Sequence, residues 1–253
     1  MKIQGVVAAA LLSGIGAGMG TNLANAVEIT VLSTQATEQA CRELLPQFEK
    51  ATGHTVKISY TGTLDAKKRI AAGEPFDLLI MASPDIDGFM TSGTLAPGSR
   101  VDLAKSGVGI GVRAGAPKPD VSTTEAFKKT LLAAKSIGYS TGPSGNYVIG
   151  LFERLRIADQ VKPKLKQTPT GVFVGTIVAN GEVEIGIQQA SEMSHFAGVD
   201  YVGPLPADIQ KMTIFASGIA ATTKQAEAAK TLVKFITSPE AGQVFKKRAM
   251  EPG

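Results

Sequence analysis

Apolar and polar positions alternate as soon as the chain leaves Ala26. "VEITVLS" (Val27–Ser33) sets Val27, Ile29 and Val31 on one side and is rich in β-branched residues, the pattern of a strand. The period then changes. "TEQACRELLPQFEKATG" gathers Leu44, Leu45 and Phe48 on one helical face and stops at Gly53, with Pro46 predicting a kink midway. "HTVKISY" returns to strand patterning, and a second helix is predicted from Leu64 through "LDAKKRIAAGE". "FDLLIMAS" is a nearly continuous apolar run, as in a strand covered on both faces. This β-α-β-α-β order predicts a mainly parallel sheet flanked by helices.

A second α/β region starts near "VGIGVRAGAP". It contains "IGYSTGPSGNYVIGLFERL", a strand, tight turn and amphipathic helix, and then "VFVGTIVANGEVEIGIQQ", a helix passing through Asn180-Gly181 into a strand. "MTIFASGIAAT" reads as another strand. Two closing helices carry Leu232, Val233, Phe235, Val244 and Phe245 as their apolar stripe. No repeat or low-complexity linker divides the chain. Two α/β lobes with strands passing between them are expected, residues 27–108 with 216–253 forming lobe 1 and residues 109–215 forming lobe 2. Ligands of such folds collect at the C-terminal ends of parallel strands, which places a cleft between the lobes. "GVGIGVRAG" has glycines spaced like a dinucleotide loop but lies within a strand and lacks a following helix.

The first residues read differently. Lys2 precedes the apolar run "VVAAALLSGIGAGMG", and Ala24 and Ala26 supply the small residues at −3 and −1 of a cleavage site. A secretory signal peptide over residues 1–26 is expected, with export to the periplasm and no stable membrane insertion, since no second apolar span follows. A lone Cys41 allows no internal disulfide in an exported protein and sits in a helical pattern as a small buried residue. Lys and Arg number 26 against 22 Asp and Glu, a net charge of +4 with both signs mixed along the chain. Lys67-Lys68-Arg69 and Lys162–Lys166 read as solvated edges; no aromatic residues interleave with them, so no nucleic-acid partner is expected. The two histidines lie at no metal-ligand interval from other ligands, and no metal or cofactor is expected. A monomer is expected.

Candidate chemistry lies in the turns. Four strand ends carry small polar residues: Ser33-Thr34; Thr61-Gly62-Thr63; the turn from Ser140 to Ser144, Gly145 and Asn146; and Gln188-Gln189 with Ser191-Glu192. Singly, the first three read as helix N-caps. Gln188-Gln189 is different, because it closes a strand with two amides. Hydroxyls, amides and helix N-termini converging on one cleft, with few fixed charges, fit an anion held by hydrogen bonds and helix dipoles.

"ITVLSTQATEQACRELLPQFEKATGHTVKISYTGTLDAKKRIAAGEPFDLLIMAS" resembles the first lobe of the periplasmic molybdate-binding proteins of ABC importers, and "EVEIGI" and "LVKFITSPEAGQVFKKRAM" extend the likeness over nearly the whole chain after residue 26. The resemblance implies a type II periplasmic-binding fold, two lobes closing on a small anionic ligand, with an ABC permease as partner. It places Ser33, Thr61–Thr63, Ser144-Gly145 and Gln188-Gln189 in the cleft. The first two turns, "LSTQA" and "YTGTL", keep hydroxyls without that family's serine pattern, and Gln188-Gln189 replaces its tyrosine. Amides pair bidentately with carboxylates, so these departures favour a small organic anion over molybdate. "GIQQ.SE" is similar to the family's divergent branch, which includes an exported aconitate isomerase. That reaction needs a base to take and return a proton across an allylic system, and Glu192 and His195, just after Gln189, are the candidates, with Glu38 behind the first turn. The pattern leaves two functions open: a receptor that hands an oxyanion, preferably an organic carboxylate, to a permease, or an isomerase of an unsaturated tricarboxylic acid.

Overall fold

The computed structural model describes residues 26–253, so the expected signal peptide lies outside the described residues except for Ala26. The chain opens with β1 (Glu28–Thr34), a one-turn 3-10 helix (Gln35–Thr37), α1 (Glu38–Thr52), β2 (Thr55–Thr61), α2 (Thr63–Ala71), β3 (Leu78–Ala82), α3 (Ser83–Thr91) and β4 (Val101–Ser106). Then come β5 (Val108–Arg113), α4 (Thr124–Ala133), β6 (Ile137–Tyr139), α5 (Pro143–Arg154), α6 (Ala158–Val161), β7 (Leu165–Gln167), α7 (Val174–Ala179), β8 (Ile185–Gln189), α8 (Ala190–Met193) and β9 (Val199–Pro204). β10 (Thr213–Ile219), α9 (Ala226–Ile236), α10 (Pro239–Lys247) and β11 (Glu251–Pro252) finish the fold.

The strands form two sheets, one per lobe. The six-stranded sheet has the order β11-β4-β10-β3-β1-β2, and the five-stranded sheet β7-β6-β8-β5-β9. The chain crosses between them twice, at Gly107 from β4 to β5 and through residues 205–212 from β9 to β10. β1 pairs parallel with β2 and β3, and β6 pairs parallel with β7 and β8. The other five of the nine pairs are antiparallel, so both sheets are mixed: β10 against β3 and β4, β11 against β4, and β5 against β8 and β9. The reason is geometric. β10 and β5 arrive from the other sheet and so start at the cleft edge, where β1, β3 and β8 end.

Period-2 patterning explains the apolar run of β3. Leu78 and Ile80 join one core cluster with Ile29, Val31, Phe48 and the stripes of α9 and α10, while Leu79 and Met81 join a second with Leu32, Ile86 and Leu95. Both faces are covered, and truncating a buried aromatic such as Phe48 to alanine costs about 3–5 kcal/mol in such cores. α1 continues as helix through Pro46, which is exposed, so water can serve the Arg42 carbonyl that loses its N–H partner. Cys41 is buried on the opposite face of that helix, and burial pushes its thiol up to about 11.

Candidate functional site

The parallel register brings strand ends together. Thr34 of β1 lies opposite Thr61 of β2, and Ser33 opposite Tyr60 and Ile80. Across from them stand the turn after β6 and the end of β8. Between the two sheets lies a small cavity with about 40 Å³ of room for the centres of water molecules. Lobe 1 lines it with Thr34, Gln35, Ala36, Thr61, Gly62, Thr63 and Phe215; lobe 2 lines it with residues 140–144, Gly171, Val172, Gln188, Gln189 and Glu192. The lobes touch over it: Gln35 Nε2 donates to the Gly171 carbonyl at 3.0 Å. Gly62 sits so close to the Thr170-Gly171 backbone that a Cβ there would lie 2.5 Å from Gly171 N.

The turn hydroxyls do not cap the helices they precede. Gly62 and Gly142 hold the N-cap positions of α2 and α5, and neither helix has a side-chain cap. Their first intrahelical bonds are Ala66 N to Gly62 O and Asn146 N to Gly142 O, leaving the N–H groups ahead of these without intrahelical acceptors at the cavity. Thr34 is 5 % exposed, and its Oγ1 has no hydrogen-bond partner among the described residues. A buried hydroxyl without a partner costs about 1–3 kcal/mol, a cost that an anion in the cavity would remove. Thr61 Oγ1 donates to Asp65 at 3.3 Å, and the hydroxyls of Ser140 and Ser144 lie 3.2 Å apart.

The two glutamines of β8 are engaged within the protein. Gln188 Oε1 accepts from Val174 N at 2.8 Å and so fixes the start of α7. Gln189 pairs with Val108 of β5 within the five-stranded sheet, beside the crossing at Gly107. With its amide oriented to satisfy every neighbour, its nitrogen donates to the carbonyls of Ser106 and Gly107 at 3.0 and 3.1 Å, and its oxygen accepts from Thr213 Oγ1 at 3.0 Å. Gln189 therefore ties both crossings to the cavity wall.

Among the described residues, Glu192 is the one ionisable side chain lining the cavity. It occupies the third position of α8, where a carboxylate can reach back to the N-cap N–H. Burial pushes its carboxyl up to about 8; the Gln188 amide and the Gln189 N–H act against this, and the negative charge of Glu38 adds to it. The upward shift favours the protonated carboxyl over the carboxylate. Glu38 itself is held by Arg42 at 2.7 Å.

Of the residues singled out in the sequence, Thr34, Thr61, Gly62, Thr63, Ser144, Gln188, Gln189 and Glu192 line this cavity. Ser33 does not: its hydroxyl is fully buried against Thr37 Oγ1 at 3.0 Å. Gly145 lies beneath the turn, where a Cβ would meet the Ser140 carbonyl at 1.8 Å. Asn146, two positions beyond Ser144, points into an adjoining groove, and His195 is exposed on the loop after α8. Gln35, Gly171, Val172 and Phe215 also line the cavity, and the signal for Gly171 was the Pro-Thr-Gly turn before α7. Among the described residues no three His, Cys, Asp or Glu side chains gather as a metal site, and no helix is long and apolar enough to cross a membrane.

Comparison with known proteins gives the family and the fold. A family model described as bacterial extracellular solute-binding protein matches residues 29–251. An aconitate isomerase from a Pseudomonas species is 36% identical over 230 residues, 88% of this chain and 87% of that protein. A molybdate-binding protein from Azotobacter vinelandii is 26% identical over 245 residues, 93% of this chain and 94% of that protein. Among solved structures, the periplasmic molybdate-binding protein of Azotobacter vinelandii superposes with a TM-score of 0.75 at 20% identity, covering 89% of this chain and 99% of that one. The shared fold is the two-lobed α/β fold of periplasmic binding proteins.

Proposed function

For a chain that belongs to the bacterial extracellular solute-binding proteins, we propose that the cavity between the lobes captures a small organic carboxylate in the periplasm. One observation carries the reading. The wall offers the unpartnered Thr34 hydroxyl and the N-termini of α2 and α5, and among the described residues no lysine or arginine lies on it. A carboxylate group places a single charge among these donors. A compact dianion such as molybdate would place both its charges inside a cavity with no lysine or arginine among its described lining residues, whereas a larger carboxylate can keep its other charges outside it. As a receptor the protein would deliver its ligand to a permease of an ABC importer.

Thermal-shift measurements against molybdate, tungstate, sulfate, citrate and both aconitates test the reading. Ligand at about 100 times its Kd adds roughly 2.7 kcal/mol to stability. Stabilisation by carboxylates supports it, and a shift with molybdate or tungstate alone refutes it.

Glu192 favours a second reading, turnover of the bound acid, and the 36% identity to an aconitate isomerase supports it. The Glu192 carboxylate would take a proton from the methylene carbon of trans-aconitate, leaving an allylic anion spread onto its carboxylate. It would return that proton to the former vinyl carbon, so that the double bond moves and the composition is unchanged. Proton NMR with trans-aconitate tests this: cis product with wild-type protein and its loss by ~10²–10⁴-fold in Glu192→Gln support it. No cis product over a day leaves the protein a receptor.

A further inference from the structure

We propose that the groove beside the cavity, at the start of α3, is a second carboxylate subsite that makes the protein selective for ligands with two or more carboxylates; this rests on the carboxylate reading of the cleft. The cavity alone is too small for such a ligand. Its roughly 40 Å³ accommodates the centres of about three waters, enough for one carboxylate group and not for a whole tricarboxylate. Thr63, Thr141 and Pro143 line both this cavity and a neighbouring groove of about 370 Å³ that runs between the lobes. The two spaces adjoin there, so a ligand with one carboxylate in the cavity has room to extend past these residues into the groove.

The groove is built to receive an anion. α3 starts there without a side-chain cap, so its first N–H groups have no intrahelical acceptor. Ser83 opens the helix; it is 9 % exposed, lines the groove, and its hydroxyl makes no hydrogen bond among the described residues. Lys211, on the second crossing between the lobes, lines the opposite side, and no acidic partner pairs with it among the described residues. The groove's one carboxylate, Asp85, is neutralised by Lys67 at 2.5 Å. Ser83 comes from lobe 1 and Asn146 from lobe 2, so an anion bridging them contributes to closure. The groove thus joins the Ser83 hydroxyl, which opens into it without a hydrogen-bond partner among the described residues, a helix N-terminus and the Lys211 ammonium, whereas among the described residues no lysine or arginine lines the cavity.

Calorimetric titration of the purified protein with trans-aconitate, citrate and succinate tests the assignment, using wild type, Ser83→Ala, Lys211→Glu and the charge-matched control Lys230→Glu on α9. Loss of a hydrogen bond to a charged group should weaken trans-aconitate about tenfold or more in Ser83→Ala, with a comparable or larger loss in Lys211→Glu. Lys230→Glu should stay within about twofold of wild type, because an exposed charge far from the ligand is screened. Wild-type binding with both groove variants within twofold overturns the subsite and leaves the cleft reading intact. A wild type that binds none of the three acids overturns the cleft reading and the subsite with it. Equal weakening by all three variants shows a general charge or folding effect and also overturns it.

Discussion

Gly62 sets how closely the lobes can approach. Its φ of −72° is open to any residue, so Gly62→Ala brings no backbone strain. The added methyl would instead lie 2.5 Å from Gly171 N and from Thr170 Oγ1 on the opposite lobe. Restoring an ordinary contact needs the two lobes to part by about 1 Å at this point, which stretches the 3.0 Å bond from Gln35 to the Gly171 carbonyl beyond hydrogen-bonding range. Overpacking of this kind costs about 1–3 kcal/mol, and here it falls on the arrangement in which Gly62 meets Gly171. Affinity for a ligand that binds by closure should therefore fall about 5- to 150-fold, while the melting temperature of the unliganded protein changes little. Calorimetry gives the first quantity. Small-angle scattering gives the closure itself, as a ligand-induced decrease in radius of gyration that the variant lacks. Binding within twofold of wild type, with normal compaction, would refute the idea that the Gly62–Gly171 contact gates the cleft.

The other side chains give distinct signatures. Thr34→Val removes the unpartnered hydroxyl, so thermal stability should hold or rise while ligand affinity drops by roughly 1.5–3 kcal/mol; unchanged affinity would take Thr34 out of the site. Gln189→Ala removes the amide from the Ser106 and Gly107 carbonyls, the latter keeping the Ala190 N–H, and from the Thr213 hydroxyl, and denaturant unfolding should show a loss of about 1–3 kcal/mol; a variant as stable as wild type would show that the crossings need no such tie. Glu192 makes stability depend on pH. Its carboxyl keeps its proton up to about 8 when folded but releases it near the ordinary carboxylate range when unfolded. Between those values the folded state binds the extra proton, so stability falls as pH rises and levels off above about 8. Melting curves from pH 5 to 9 should show this decline relative to Glu192→Gln, and parallel curves would mean that the carboxyl is ionised throughout. If the protein turns over trans-aconitate, its rate should climb toward pH 8 as the basic form of Glu192 appears.

Much of the fold was legible because local patterning and tertiary packing agree. β3 reads as buried on both faces and is, since Leu78 and Ile80 pack on one side and Leu79 and Met81 on the other. The direction of β10 and β5 was not legible, because it follows from the crossings and not from residues within those strands. The cleft was legible as a set of turns but not side chain by side chain. Ser144 and Asn146 are about 200° apart around α5, so they cannot both face one cavity, and Asn146 reaches the groove instead. Gln189 looked like a free amide because the carbonyls it serves, at Ser106 and Gly107, are brought to it only by the pairing of β8 with β5. Ser83 sits at the end of an apolar strand and shows its unpartnered hydroxyl only once α3 is placed against the cleft. Gly62 and Gly171 are far apart in sequence, and no local pattern could pair them.

The ligand proposed for the cleft is an organic carboxylate. Calorimetric titration of the purified protein with trans-aconitate, and separately with sodium molybdate, tests it most directly. Saturable one-to-one heat from trans-aconitate, weakened in Thr34→Val, with no saturable heat from molybdate, is the result this account predicts. Saturable binding of molybdate, with no heat from trans-aconitate or citrate, would contradict it.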